Sequence, residues 1–181
     1  KQAQFYSRDV LKAMAFGAPH IHPGTLHDVG DSYYYSRYGG SGFCQRYPLL
    51  NPKISYVAMA TLTRELDGAE HQRTLETPSP TLHVMEFARD DGVVYALWVP
   101  RGEREVRLTF ADDAALTLTD MNGTSRPLPM QDQVARLTVS ASPAYLRTAA
   151  AIEQLEAGPT SVASAPEGAR VVDALTDLSR W

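Results

Sequence analysis

At Gly68 the spacing of apolar residues changes character. Before it they recur every three or four positions, the period of a helix, and after it they alternate, the period of half-buried strands. A chain written this way builds a helical part first and a β part second. In the first part Ala3, Tyr6, Val10, Ala13 and Met14 mark a helix over Ala3 to Phe16, which Gly17 and Pro19 stop. Pro19 to His22 predicts a short buried strand. Asn51-Pro52 predicts the start of a second helix, with Asn51 as N-cap and Pro52 at the first helical position, where its missing N–H is not needed. Ile54, Val57, Ala58, Leu62 and Leu66 form its apolar stripe, and Gly68 ends it.

In the second part Leu82, Val84 and Phe87 read as one strand, Arg89 to Gly92 as a turn, and Val93 to Val99 as a nearly continuous apolar strand. Pro100-Arg101-Gly102 turns the chain again, and Val106, Leu108 and Phe110 alternate before Leu116 and Leu118. Asn122-Gly123 predicts a hairpin of type I′, which needs positive φ at both central residues. Val134, Leu137 and Val139 make another strand, and Ala144-Tyr145-Leu146 one more. Six or seven short strands with frequent turns predict an antiparallel β-sandwich.

Between the two helices, Pro23 to Leu50 is a polar and aromatic stretch with Tyr33, Tyr34, Tyr35, Tyr38, Phe43 and Tyr47. A loop of that length in a compact domain is usually functional. Glu156 to Arg170 is rich in Ala, Gly, Pro and Ser and reads as a linker, after which Val171 to Leu175 resumes an apolar pattern. The expected organisation is therefore 1–68, 69–150 as the sandwich, and 151–181 as a linker with the start of a further domain. Lys1 to Phe5 enters the helical pattern at once, so the chain is expected to be a piece of a larger protein.

Charge and length exclude several functions. The 17 basic and 21 acidic residues give a net charge of −4, which lacks the clustered cationic excess of a nucleic-acid binder. No apolar run approaches the roughly 20 residues of a membrane span. Cys44 is the only cysteine, so no intrachain disulfide forms; it reads as a buried structural thiol. At 181 residues the chain is shorter than the roughly 250 of a complete (β/α)8 barrel.

The order helix, short strand, long aromatic loop, Pro-led helix and sandwich, together with four phrases, resembles the C-terminal part of a clan-A glycoside hydrolase. The similarity is to the β-xylosidase and α-L-iduronidase family and the cellulase-like families, and covers residues 1–148. The phrases are Tyr38-Gly39-Gly40-Ser41-Gly42-Phe43; Asn51-Pro52-Lys53-Ile54-Ser55-Tyr56 running on to Leu62; Tyr95-Ala96-Leu97-Trp98 with Thr119 to Gly123; and Ser142-Pro143-Ala144-Tyr145-Leu146. The resemblance implies an α/β plus all-β fold, the last βα unit of a (β/α)8 barrel followed by an antiparallel β-sandwich. Gln2 to Phe16 would be the seventh barrel helix, His20 to Pro23 the eighth strand, and Pro52 to Leu66 the eighth helix. In such families the two catalytic glutamates end the fourth and seventh strands, so the resemblance assigns no catalytic residue to this chain.

What the resemblance does imply is substrate binding, because barrel active sites lie at the carboxyl ends of the strands. His22 would sit near the strand end. Aligning His27-Asp28-Val29-Gly30 with a common polar turn of the family places Asp28 near the pocket rim, where many members carry an aromatic residue at the position of Pro23. Asp31 and Tyr38, with Tyr33, Tyr34 and Tyr35, lie on the loop beyond, where carboxylates accept sugar hydroxyl protons and aromatic faces stack on sugar C–H faces. The substrate-binding set is thus His22, His27, Asp28, Asp31 and Tyr38. The alternative is that Asp28 caps the turn and the tyrosines fill the barrel mouth.

Glu65, Glu70, Glu76, Glu103 and Glu105 read as solvated surface charge rather than as catalytic acids. His20, His22 and His27 crowd near Asp28 and Asp31, types that can ligate zinc, but the spacing is loose and packing or pocket histidines are the favoured reading; no metal or cofactor is expected. Expected partners are a carbohydrate, the remainder of the parent barrel and, through exposed apolar faces, an oligomer, with neither nucleic acid nor membrane among them. A secreted or periplasmic location follows from the function alone. The competing reading is a non-catalytic carbohydrate-binding or interaction module.

Overall fold

A computed structural model describes residues 1–29 and 39–161 of the chain. Among these described residues two helices lead, α1 over Gln2–Ala15 and α2 over Ile54–Glu65. Ten strands follow: β1 Glu70–Thr74, β2 His83–Arg89, β3 Gly92–Trp98, β4 Glu103–Phe110, β5 Thr117–Thr119, β6 Ser125–Pro127, β7 Met130–Gln131, β8 Val134–Ser140, β9 Ala144–Thr148 and β10 Ile152–Ser161. They form a six-stranded sheet in the order β1-β2-β3-β9-β5-β6 and a four-stranded sheet in the order β10-β4-β8-β7, with every pairing antiparallel. The predicted arrangement of two helices followed by an antiparallel sandwich is what the structure shows.

Two cores explain the pattern. Leu82, Val84, Tyr95, Leu97, Val106, Leu108, Phe110, Leu137 and Leu146 meet between the sheets. Met85, Phe87, Val94, Ala96, Trp98 and Tyr145, from the opposite face of the six-stranded sheet, meet Val10 and Leu11 of α1, Leu62 of α2 and Leu66 at its end. β3 is therefore covered on both faces, and this double burial is why Val93 to Val99 reads as a continuous apolar run rather than an alternation.

α1 ends in a Schellman motif: Ala18 N–H donates to Ala13 O and Gly17 N–H to Met14 O, with Gly17 at φ +72°. α2 begins two residues later than the sequence predicts, after Lys53, and no side chain caps it. Asn51 and Pro52 are held elsewhere, because Asn51 O accepts from Gln45 N–H at 2.8 Å and Lys53 N–H donates to Phe43 O at 2.8 Å across an antiparallel bridge between Cys44 and Pro52. The apolar stripe is also rotated. Ser55, Ala58, Thr61, Leu62 and Glu65 are buried, while Ile54 is 61% exposed. Small residues occupy the inner face because the tip of the β5–β6 hairpin comes close there: Met121 packs with Ala3 and Ala58.

Three further expectations are corrected. Residues 20–23 form no strand, and His20 and His22 are exposed; a parallel barrel strand needs paired neighbours, which the described residues do not supply. The Asn122-Gly123 turn is not type I′, since Asn122 does not have positive φ. Gly123 alone does, at +90°; Gly123 N–H donates to Asp120 O, and the Asp120 carboxylate accepts from Asn122 and Thr124 N–H, a three-residue loop with a bulge. Ile152–Ser161, expected within a linker, is the edge strand β10 on β4. Its register slips twice, around Glu153 and around Gly158-Pro159, which breaks the alternation and disguises it.

Candidate functional site

The segments on either side of residues 30–38 are stapled together at their base. Cys44 N–H donates to Leu26 O at 2.8 Å, and Asp28 N–H to Cys44 O at 3.0 Å, a parallel bridge that runs beside the antiparallel one to Pro52. Phe43 N–H donates to Thr25 O at 3.1 Å. The backbones approach so closely at Gly42 that a Cβ there would lie 2.2 Å from the carbonyl carbon of His27 and 2.3 Å from Asp28 N, so only glycine fits.

Asp28 is the centre of this base. Its Oδ1 accepts from Gly42 N–H at 3.0 Å and from Lys53 Nζ at 2.5 Å, and Lys53 Nζ also donates to Gly40 O at 3.1 Å. Both side chains are largely shielded, 17% exposed for Asp28 and 23% for Lys53. The helix starts complete the clamp. Gln2 Nε2 donates to Gly40 O and Gly42 O, Ser55 Oγ donates to Gln2 Oε1, and Tyr6 Oη donates to Ser41 O at 2.6 Å with its ring edge-on to Phe43. The residues that hold 40–43 thus come from the N-terminal half of α1 and from Lys53 just before α2, which α1–α2 packing brings together.

Of the predicted substrate-binding residues, His22 is exposed in irregular chain and His27 is exposed beside Asp28. His27 Nδ1 lies 2.8 Å from Asp28 O; a carbonyl only accepts, so Nδ1 donates this bond and Nε2 takes no part in it. Asp28 Oδ1 is engaged by Lys53 and Gly42. Asp31, Tyr33, Tyr34, Tyr35 and Tyr38 lie outside the described residues. Among the described residues no three His, Cys, Asp or Glu side chains gather as metal ligands would. Cys44 is buried and unpaired to another cysteine.

Two groups escaped the sequence reading. Lys53 gives no signal of its own, being one lysine after a proline. Glu65, expected in solvent, is 4% exposed. It accepts from Arg64 at 2.9 Å and from Arg147 of β9 at 3.1 Å, while Arg89 Nη1 donates to its backbone O at 2.8 Å. Tyr145, on the same face of β9 as Arg147, has its phenol pushed far up by burial and, secondarily, by the Glu65 charge. Tyr145 Oη and Arg147 Nε are buried without a partner. This cluster fastens α2 to the six-stranded sheet; a helical period alone cannot reveal it, because Arg147 lies 82 residues away.

No protein-family model matches the chain, and no curated protein does. Solved structures do. A family 39 glycoside hydrolase from the gut symbiont Bacteroides cellulosilyticus WH2 superposes with a TM-score of 0.65 at 24% identity over 80% of this chain and 29% of its own. The glycoside hydrolase family 30 subfamily 8 xylanase Xyn30A from Clostridium acetobutylicum superposes with a TM-score of 0.55 at 7% identity over 81% of this chain and 39% of its own. The fold is thus one shared with these two glycoside hydrolases. The chain spans well under half the length of either.

Proposed function

We propose that this chain belongs to a glycoside hydrolase that cleaves O-glycosidic bonds of a poly- or oligosaccharide. In this reading α1 and α2 are the closing helices of a (β/α)8 barrel, the sandwich braces them, and two glutamates on another part of the barrel perform a retaining reaction. One carboxyl protonates the leaving oxygen while the other, roughly 5–5.5 Å away, attacks the anomeric carbon, and water then releases the glycosyl group. Glu65, Glu70, Glu76, Glu103 and Glu105 take no part. The observation that carries the reading is the superposition on the family 39 enzyme over four fifths of the chain. The exposed apolar residues of the helical part, Phe5, Phe16, Ile54 and Tyr56, support it, since the strands and neighbouring helices of a barrel would cover such side chains.

Within that enzyme the stapled base serves the substrate pocket indirectly. Asp28 and Lys53 hold together the segments that flank residues 30–38, Asp31 and Tyr38 among those residues serve the sugar, and His22 and His27 stand at the rim, where His27 Nε2 is the polar atom left for a sugar hydroxyl. The enzyme works outside the cytoplasm, where polysaccharide is found. The test is hydrolysis of a panel of aryl glycosides and polysaccharides by the intact protein, with the product anomer followed by proton NMR. Hydrolysis with retention is expected, and residues 1–181 alone should be inactive. No hydrolysis of any glycan sinks the proposal, and an inverted product sinks the mechanism.

A further inference from the structure

On the face of the four-stranded sheet that points away from the helices, Arg107 of β4 and Arg136 of β8 are directly opposed in the antiparallel register. Like charges so placed repel, an arrangement that costs stability unless something between them carries negative charge. Arg107 reaches Glu156 at 3.3 Å, and Arg136 makes no hydrogen bond or ion pair among the described residues. Two depressions meet at this pair. One, of about 490 Å³, extends toward Asp132; the other, of about 340 Å³, extends toward Glu105 and Gly158, where the slipped register of β10 opens the surface.

We propose that Arg107 and Arg136 form a surface site for one carboxylate or sulfate group of an acidic carbohydrate. Two guanidinium groups lining the same depressions suit a planar or tetrahedral oxyanion, because a guanidinium offers paired N–H donors to such a group. Glu105, Glu156 and Asp132 stand around the pair, so the site tolerates a single, isolated negative group held by the arginines and repels a dense run of charge. Spaced charges along a sugar chain therefore fit better than the contiguous phosphates of a nucleic acid. The choice of a carbohydrate as carrier rests on the glycoside hydrolase reading above; the anion site itself does not.

The experiment titrates the intact protein with trigalacturonic acid, with neutral galactotriose, with sodium sulfate and with a short DNA oligonucleotide, by calorimetry and by NMR of the arginine Nε–H groups. Trigalacturonic acid should bind and shift Arg107 and Arg136, galactotriose should not, and R107A/R136A should weaken binding about tenfold or more. An R101A control should bind as the parent protein does, and the double variant should melt no lower than the parent, since removing the opposed charges offsets loss of the exposed Glu156 contact. Unchanged binding by the double variant, equal binding of galactotriose, tighter binding of DNA, or sulfate saturating the pair as well as the acid trisaccharide would each overturn the inference, the last leaving an adventitious ion only. Hydrolysis by the intact protein with no role for the arginines defeats this inference and spares the enzymatic reading; arginine-dependent binding without hydrolysis does the reverse.

Discussion

Gly42 is a residue whose replacement admits no local escape, because the atoms its Cβ would meet are backbone on both sides. Gly42→Ala should cost about 1–3 kcal/mol or more, read as a lower urea midpoint, and should loosen the Asp28–Lys53 contact. Glu65→Gln leaves Arg147 and its buried Nε poorly satisfied. The loss should be about 2–3 kcal/mol, below the roughly 3–5 of a wholly buried pair because both arginines reach solvent, and a double-mutant cycle with Arg147→Met should show strong coupling. His83, stacked on Trp98 at 4.8 Å, has its protonation pushed down by burial and then by Lys12 and Arg8. The folded chain therefore holds that proton less well than the unfolded one. The stability this gives is complete above the ordinary value of 6.5 and is lost as pH falls through the lowered one. His83→Gln should flatten that part of the pH–stability curve, and an unchanged curve would refute the assignment. None of these three sites was legible from residue type. Gly42 looks like any loop glycine, and Glu65 and His83 owe their surroundings to strands distant in sequence.

At the scale of elements, long periodic segments were readable and their ends were not. α1 and the strands around Val93–Val99 and Val106–Phe110 follow from period, because each buries a face set by its own spacing. α2 started late because the backbone of Asn51 and Pro52 pairs with Gln45 and Phe43, a tertiary contact that outweighs capping preference. The type I′ geometry was expected at Asn122-Gly123, but the two-residue turn with positive φ at both positions is Asp132-Gln133, at +51° and +61°, between β7 and β8. That turn lacks the usual Asn-Gly signature and bears the cost of two side chains in a left-handed conformation. Gln133→Gly should accordingly raise stability by about 1 kcal/mol in thermal melts, and a loss would show that Gln133 contributes something else.

For the whole molecule, the sequence showed the order of helices before sandwich but not how the sandwich holds them. Helical and strand periods report which face is buried, not against what. Here one sheet is shared: its inner face closes the sandwich and its outer face carries both helices. The apolar surface left over lies on the helical side, at Phe5, Phe16, Leu26, Tyr47, Leu49 and Ile54. Residues 1–181 expressed alone should therefore self-associate in sedimentation velocity, and replacing Phe16, which is 89% exposed, and Leu49 by serine should shift the chain toward monomer without lowering its melting point. A stable monomer of the parent sequence would count against the proposed barrel partner.

Because β3 lends one side to each core, the junction near Gly68 is a change of sequence grammar and not a seam where the protein comes apart. Any rearrangement that passes this sandwich to a new host must carry the helix pair with it, or leave Phe87, Val94, Ala96 and Trp98 facing water.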